Sequence, residues 1–292
     1  MMTHAAPVRV GPEAVPNRQR HWFAAFLRTR REASAGILLL VTLVVLSMTV
    51  HLWADYTPSE VAGAPFSPPS AQHLLGTDDL GRDYLVRLMT AGQTSLGIAF
   101  FAAALALLVG SAIGIAAGLR GGWLDSWLMA GIDLVLSFPS LLLALSAVTV
   151  FNPTKTILVL VLALIAVPQF ARVVRAKCLE LREREFVLSA RVSGVPDPVI
   201  AVKHLLPNVL PLMTVQFANT AAIAILIESS LSYLGLGVQP PDPSWGNMIY
   251  AAQSYMIECP WLPLGPAGAL LLASFAWGLI GEGFSGGSRS LI

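Results

Sequence analysis

Charge is scarce in this 292-residue chain: 12% of its residues are Asp, Glu, Lys or Arg, about half the roughly 25% of a soluble domain. Together with 55% hydrophobic residues and a mean hydropathy of +0.69, that excludes a disordered protein and a typical cytosolic enzyme. A basic excess is missing too. With 18 Lys and Arg against 17 Asp and Glu the formal net charge is +1, which argues against a nucleic-acid binder. Two cysteines, Cys178 and Cys259, cannot make a disulfide-rich scaffold. The three lysines, Lys155, Lys177 and Lys203, all lack a glycine-rich approach, and no G-x-x-x-x-G-K-[ST] occurs. The chain therefore cannot hydrolyse ATP alone by a P-loop mechanism. There is no metal-spaced His/Cys cluster and no G-x-S-x-G, and His4, His21, His51, His73 and His204 are scattered, which favours structural roles. What remains is a polytopic membrane protein, long enough for about six spans of roughly 20 residues each.

Charge-free intervals mark the spans. They cover residues 33–54 (His51 being the sole ionisable side chain), 88–119, 134–154, 156–171, 205–227 and 259–281. Unsatisfied peptide groups cost several kcal/mol in hydrocarbon, so runs of this length should be helices. Six are expected, at about 34–54, 94–118, 130–150, 155–173, 209–235 and 262–281. The fourth is short, but Lys155 and Arg172 flank it and can snorkel to the interfaces. The first follows 33 polar residues and is too long for a signal-peptide core, so it reads as a retained anchor. The chain thus divides into a segment 1–33, an anchor 34–54 with a loop 55–93, a core 94–281 containing the loop 172–208, and a tail 282–292.

Counting Lys and Arg between spans gives fifteen on one side and three on the other. The positive-inside rule then puts both termini in the cytoplasm. Cys178 falls inside and Cys259 outside, so the two cannot pair within the chain.

Residues 172–208 form the only long internal loop and carry seven of the basic residues. A helix can be drawn through ARVVRAKCLELREREFVLSARVSG, stopped by Gly194 with Pro196 and Pro198 beyond. Asp197 and Pro198 read as N-cap and first residue of a short helix 198–206, with Pro207 leading into span 5. Two short helices at a sharp bend would form a compact knob. Physics alone also allows an amphipathic hairpin lying on anionic lipid.

The stretch EFVLSARVSG, followed by HLLPN (Glu185–Gly194, then His204–Asn208), resembles the cytoplasmic EAA loop of ABC importer permeases. Gly194 and Leu206-Pro207 fall where that motif has its Gly and its terminal Leu-Pro. Leu188 stands at the motif's Glu position and Ser189 at its first Ala, while Ala190 is retained. Three further stretches are similar to the oligopeptide/dipeptide/nickel branch: His73–Ala99, Gly121–Leu145 (with Ala130 at a usual Arg position) and Glu228–Ile249. The resemblance covers about residues 35–281; the tail from Gly281 departs from the family's acidic-basic pattern. It implies an all-α type I importer fold with six transmembrane helices in the bacterial cytoplasmic membrane. It also implies a permease, itself not an enzyme, that forms the translocation pathway with a second, different permease. One or two ATPase subunits would hydrolyse ATP with Mg, an extracytoplasmic binding protein would deliver the solute, and this chain would bind no cofactor. Coupling to the ATPase would fall to Glu185, Phe186, Ser189, Ala190, Gly194, His204, Leu206 and Pro207. The implied solute is an oligopeptide or dipeptide, with nickel as the alternative.

Other features carry two readings. A small residue recurs at every fourth position of span 2 (Ala102, Ala106, Gly110, Gly114, Gly118), which suits close helix packing within the chain or a subunit interface. Asp133 sits near an interface, where water can reach it. Glu228 follows 23 uncharged residues beside Ser229 and Ser232. It could line the pathway with them and meet a peptide's amino group, or be a buried carboxylate held by the serines. The external loops, rich in proline, could dock a binding protein or cover helix ends, with Trp245 and Trp261 at the interface. From another class, a secondary transporter driven by an ion gradient would show internal repeats, and none is convincing here; a membrane enzyme lacks any catalytic cluster.

Overall fold

The computed structural model describes residues 31–285. Residues 1–30 of the amino-terminal segment and 286–292 of the tail lie outside the described residues. Regular structure among the described residues is helical, apart from isolated bridges pairing Val61 with Arg82 and Thr77 with Asp83. In order the helices are α1 (Arg31–Trp53), α2 (Tyr84–Arg120), α3 (Gly122–Leu136), α4 (Ser140–Phe151) and α5 (Lys155–Leu181). They are followed by α6 (Glu185–Val192), α7 (Asp197–Ile200), α8 (Leu206–Tyr233), α9 (Trp245–Gln253) and α10 (Leu264–Ser285). A single π turn, Ala201–Leu205, joins α7 to α8. Helices α1, α2, α5, α10 and the continuous stretch Asp197–Tyr233 are each long and apolar enough to cross a bilayer, and the bent pair α3–α4, taken as one span, makes a sixth. The chain is an all-α multi-pass membrane protein.

The third span differs from the single helix expected at 130–150. It is broken at Ser137–Phe138–Pro139, and α3 and α4 meet at 84°. Pro139 has no N–H to continue the ladder and pushes Phe138 out of helical conformation. The α3 chain end closes instead with Ser137, whose N–H and hydroxyl both donate to the Asp133 carbonyl.

The small-residue stripe of span 2 is used inside the chain. A Cβ on Gly110 would lie 2.5 Å from the Phe170 Cβ, and one on Gly114 would lie 2.6 Å from the Ala171 carbonyl oxygen. One on Gly118 would lie 2.6 Å from the Cys178 Cβ. Three glycines, one per turn, thus press α2 backbone to backbone on α5 along the half nearer the basic loop. Gly36 does the same for α1 against Ala276 of α10. Cys178 and Cys259 are both free and buried, in separate clusters.

At the opposite end the loop before α2 is folded rather than slack. Asp78 accepts from the Leu80 and Arg82 backbone N–H groups and from the Arg82 guanidinium at 2.7 Å, with Arg87 at 3.2 Å. The His73 ring pairs with Asp83 at 2.9 Å, and Asp83 caps α2 through the Val86 N–H. Helix α2 therefore starts ten residues before its expected beginning at 94, because its N-cap lies in this clasp. Gly81, at φ +75°, supplies a turn whose Cβ would collide with the Gly63 carbonyl. The short α9 was not expected; Ser244 and Asn247 begin it with a reciprocal capping box. Its Trp245 is not an interfacial residue. It is fully buried and donates its indole N–H to the Leu88 carbonyl at 3.1 Å, whereas Trp261 remains partly exposed.

Candidate functional site

The residues expected to couple gather at the end of the bundle where α5 leaves it. Helix α5 closes at Leu181, and Arg182–Glu183–Arg184 turn the chain back into α6, so the single helix drawn across 171–194 does not form. The reason lies in the apolar residues. Leu181 and Val187 are six positions apart, and on one helix they would point about 120° from each other. Folding back lets both bury in one cluster with Leu119, Val174, Cys178, Ile200 and Leu205. Gly194 stops α6 at φ +75°, as its position promised. Helix α7 begins one residue earlier than expected, with Pro196 as its cap, and Asp197 instead faces Arg120 at 3.8 Å. No break separates α7 from the span that follows: the helix runs on through the π turn at Ala201–Leu205, which falls immediately before Pro207 and its missing N–H.

The basic residues of this segment are largely spent on holding it. Arg175 makes a two-pronged bond to Asp125 of α3 at 2.5 and 2.6 Å, and Arg172 reaches Asp133 at 2.6 Å. Lys177 and Arg184 share Glu180, Arg191 donates to the Leu119 carbonyl at 3.0 Å, and Arg182 donates to that of Gly118. A hairpin free to spread its cations over lipid would not spend them this way. Beside the exposed Glu185, Ser189, Arg191 and Lys203, α6 and the π turn also turn apolar side chains outward: Phe186, Leu188, Val192 and Val202 are exposed, Val192 at 90%. Val187, one position from Phe186, is fully buried and anchors the helix.

Of the residues expected to couple, Glu185, Phe186, Ser189, Gly194 and Pro207 are exposed, while Ala190, His204 and Leu206 are half-buried. Phe186 and His204 face each other with ring centres 6.2 Å apart, which joins α6 to the π turn. The structure brings these eight into one knob. Sequence reasoning missed Val192, Arg191 and the Asp125–Arg175 fork. The fork joins residues 50 apart in sequence, and the one signal available was an unmatched Asp in an apolar helix.

Glu228, Ser229 and Ser232 lie near the other end of α8, and all three are buried. The Glu228 carboxylate accepts from Ser232 at 2.7 Å and from Ser229 at 3.2 Å, and Ser95 of α2 and Ser244 at the start of α9 also bond to it. Ser232 further accepts from the Val238 N–H at 3.1 Å, and Ser95 from the Trp245 N–H at 3.2 Å. A ring of four hydroxyls around one carboxylate pins α2, α8 and α9 together. A buried structural carboxylate would be held in this way, and Ser95, 133 positions away in sequence, could not be read as its partner.

The family described as binding-protein-dependent transport system inner membrane component matches residues 110–284, which include the knob. A peptide permease protein of Brucella suis biovar 1 is 38% identical over 285 residues, covering 97% of this chain and 92% of that protein. The dipeptide transport system permease protein DppC of Alkalihalophilus pseudofirmus is 33% identical over 293 residues, covering 96% of this chain and 95% of that one. A second Brucella suis protein, a peptide transport system permease, is 36% identical over 88% of this chain. The all-α bundle with its six apolar spans is the type I ABC permease fold. The chain belongs to the family of binding-protein-dependent transport system inner membrane components.

Proposed function

We propose that this chain is a permease subunit of an ATP-driven importer of peptides in the bacterial cytoplasmic membrane, with both termini in the cytoplasm. It forms the pathway with a second permease, and an extracytoplasmic binding protein hands the peptide to the loop-rich end. One or two ATPase subunits bind and hydrolyse ATP with Mg; this chain supplies no nucleotide site and binds no cofactor. The peptide reading rests on the names of the relatives, which mention peptides and dipeptides and not nickel.

The observation that carries the coupling role is the knob itself. Exposed apolar side chains, Phe186 on one side of α6, Leu188 and Val192 on the other, and Val202 on the π turn, stand on a base held by the Arg175–Asp125 ion pair. Such side chains are suited to burial against another protein. Because the knob shares a cluster with Leu119 of α2 and Val174 of α5, a push on it is delivered to two spans at once. An importer of this kind alternates between two bundle arrangements biased by differential contacts.

The test deletes residues 186–194 in the full transporter. Insertion in the membrane is retained, whereas ATPase co-purification and uptake of labelled peptide are lost. Retained ATPase capture after that deletion would refute the coupling role. Transport by the purified chain alone in liposomes, without ATP, would replace this reading with a secondary transporter.

A further inference from the structure

Two amide side chains stand on neighbouring spans, inside their charge-free stretches, one of them a single turn from Arg172. Gln169 lies 14 positions into α5 and Gln216 ten positions into α8, about 21 and 15 Å from the helix starts at 1.5 Å per residue. Gln216 Nε2 donates to Gln169 Oε1 at 3.1 Å and reaches the Thr220 hydroxyl at 3.4 Å. That pairing uses one oxygen and one nitrogen. It leaves one amide nitrogen and one amide oxygen over, a spare donor beside a spare acceptor, and Gln169 is exposed. Carboxamides facing acyl chains in that state are costly.

The break in the third span opens beside them. Ser140, Gln169 and Thr220 line one mostly apolar cleft of about 50 Å³, which Gln216 does not line but meets through its bond to Thr220. At roughly 10–15 Å³ of such volume per water molecule, the cleft holds a few waters. Ser140 opens α4, whose cap Pro139 offers no side-chain bond to the first N–H groups. Non-helical backbone at this depth is tolerated only where it lines a cavity or is buried in protein. Pro168, next to Gln169, also removes the N–H that the Leu164 carbonyl would have received. Three spans thus turn hydrogen-bonding groups without charge toward one wall.

We propose that Gln169 and Gln216 form a subsite on the wall of the translocation pathway that reads the backbone of a passing peptide. The spare amide donor meets a peptide carbonyl and the spare acceptor meets a peptide N–H. A wall of amides and hydroxyls without a formal charge is indifferent to the peptide's side chains. The inference rests on the peptide reading above and deepens it.

The test uses the complete transporter in cells and labelled trialanine, with its backbone N-methylated analogue as competitor. Gln169→Leu and Gln216→Leu each raise the KM for trialanine about 2- to 10-fold, the equivalent of one net hydrogen bond. The maximal rate is largely kept, and the preference for trialanine over the N-methylated peptide shrinks. Failure of the wild-type transporter to take up trialanine overturns the peptide reading together with the subsite. Uptake with an unchanged KM and unchanged preference in both variants overturns the subsite alone.

A second measurement does not depend on activity. In a Cys178→Ala, Cys259→Ala background, Gln169→Cys and Gln216→Cys react with a water-soluble maleimide, and trialanine slows the reaction. Leu160→Cys and Phe275→Cys, both exposed on apolar helix faces, serve as unreactive controls. Labelling no faster than in these controls overturns the subsite, including the case where the second permease covers the amides and its co-purification falls instead.

Discussion

Replacing Gly114 by alanine adds one methyl group where α2 and α5 touch. The new Cβ would sit 2.6 Å from the Ala171 carbonyl oxygen and 2.8 Å from the Val174 Cβ. Ordinary contact begins near 3.4 Å, so the helices must part by about 0.8 Å at this level. The obstructing atoms are backbone and Cβ atoms, which cannot rotate away. Overpacking of this kind costs about 1–3 kcal/mol. Parting the helices also loosens the neighbouring contacts at Gly110 and Gly118, so the upper half of that range applies. Gly97 lies on the same helix with nothing within 4 Å of its added Cβ. Gly97→Ala is therefore the matched control, and exchanging Gly for Ala in a helix should be neutral or stabilising by up to about 1 kcal/mol. Equilibrium unfolding of the purified chain in mixed SDS micelles reads both variants. If Gly114→Ala unfolds at the same SDS fraction as Gly97→Ala, α2 and α5 are not in backbone contact along the half nearer the basic loop.

Further outcomes follow from the other contacts. Val192→Asp places a charge on the most exposed apolar residue of α6; ATPase co-purification drops about tenfold or more while the chain remains as stable as wild type in SDS. Asp125→Ala leaves the Arg175 guanidinium without its fork and destabilises the chain by about 1–3 kcal/mol, whereas the double variant Asp125→Leu, Arg175→Met recovers much of the loss in the same assay. Ser232→Ala removes one bond to Glu228 and one from the Val238 N–H; protease cleavage within 234–244 accelerates, and uptake falls only as far as the folded fraction does. Glu228→Gln keeps most of the hydroxyl ring and supports normal uptake with unchanged ATPase coupling; a large uptake defect in a stable Glu228→Gln protein would place the carboxylate in the pathway.

The spans were legible because hydrocarbon penalises charge so heavily that its absence marks them. Helix α1 agrees with its charge-free run to within two residues at both ends, whereas α5 continues ten residues past its run and α10 is displaced by four to five residues. The break in the third span had its signal in Pro139, but a proline within an apolar run equally permits a kink, and only the packing of α4 against Leu158 and Leu162 resolves it. Gly194 ended α6 as expected, since a left-handed residue there is a local requirement. What escaped the sequence was relational. The cage around Glu228 needs Ser95, the α3 anchor needs Arg175, and Trp245 leaves the interface because Leu88, 157 positions away, offers it a carbonyl. Type and burial of these residues follow from partners that no local pattern names.

The π turn at Ala201–Leu205 has a consequence for reading α7 and α8 as one surface. The buried residues run Ile200, Leu205, Val209, Met213, spaced five, four and four. An ordinary α-helix would swing the five-residue step about 100° further round than a regular four-residue one does. The wide turn absorbs the extra residue and keeps Ile200 beneath the same seam. A helical wheel drawn through residues 197–233 therefore misassigns everything on one side of the turn. The geometry also makes this the place where chain length is negotiable. Losing one residue between Ile200 and Leu205 restores a regular helix without rotating either end, while the same loss one turn later turns the whole knob away from its seat.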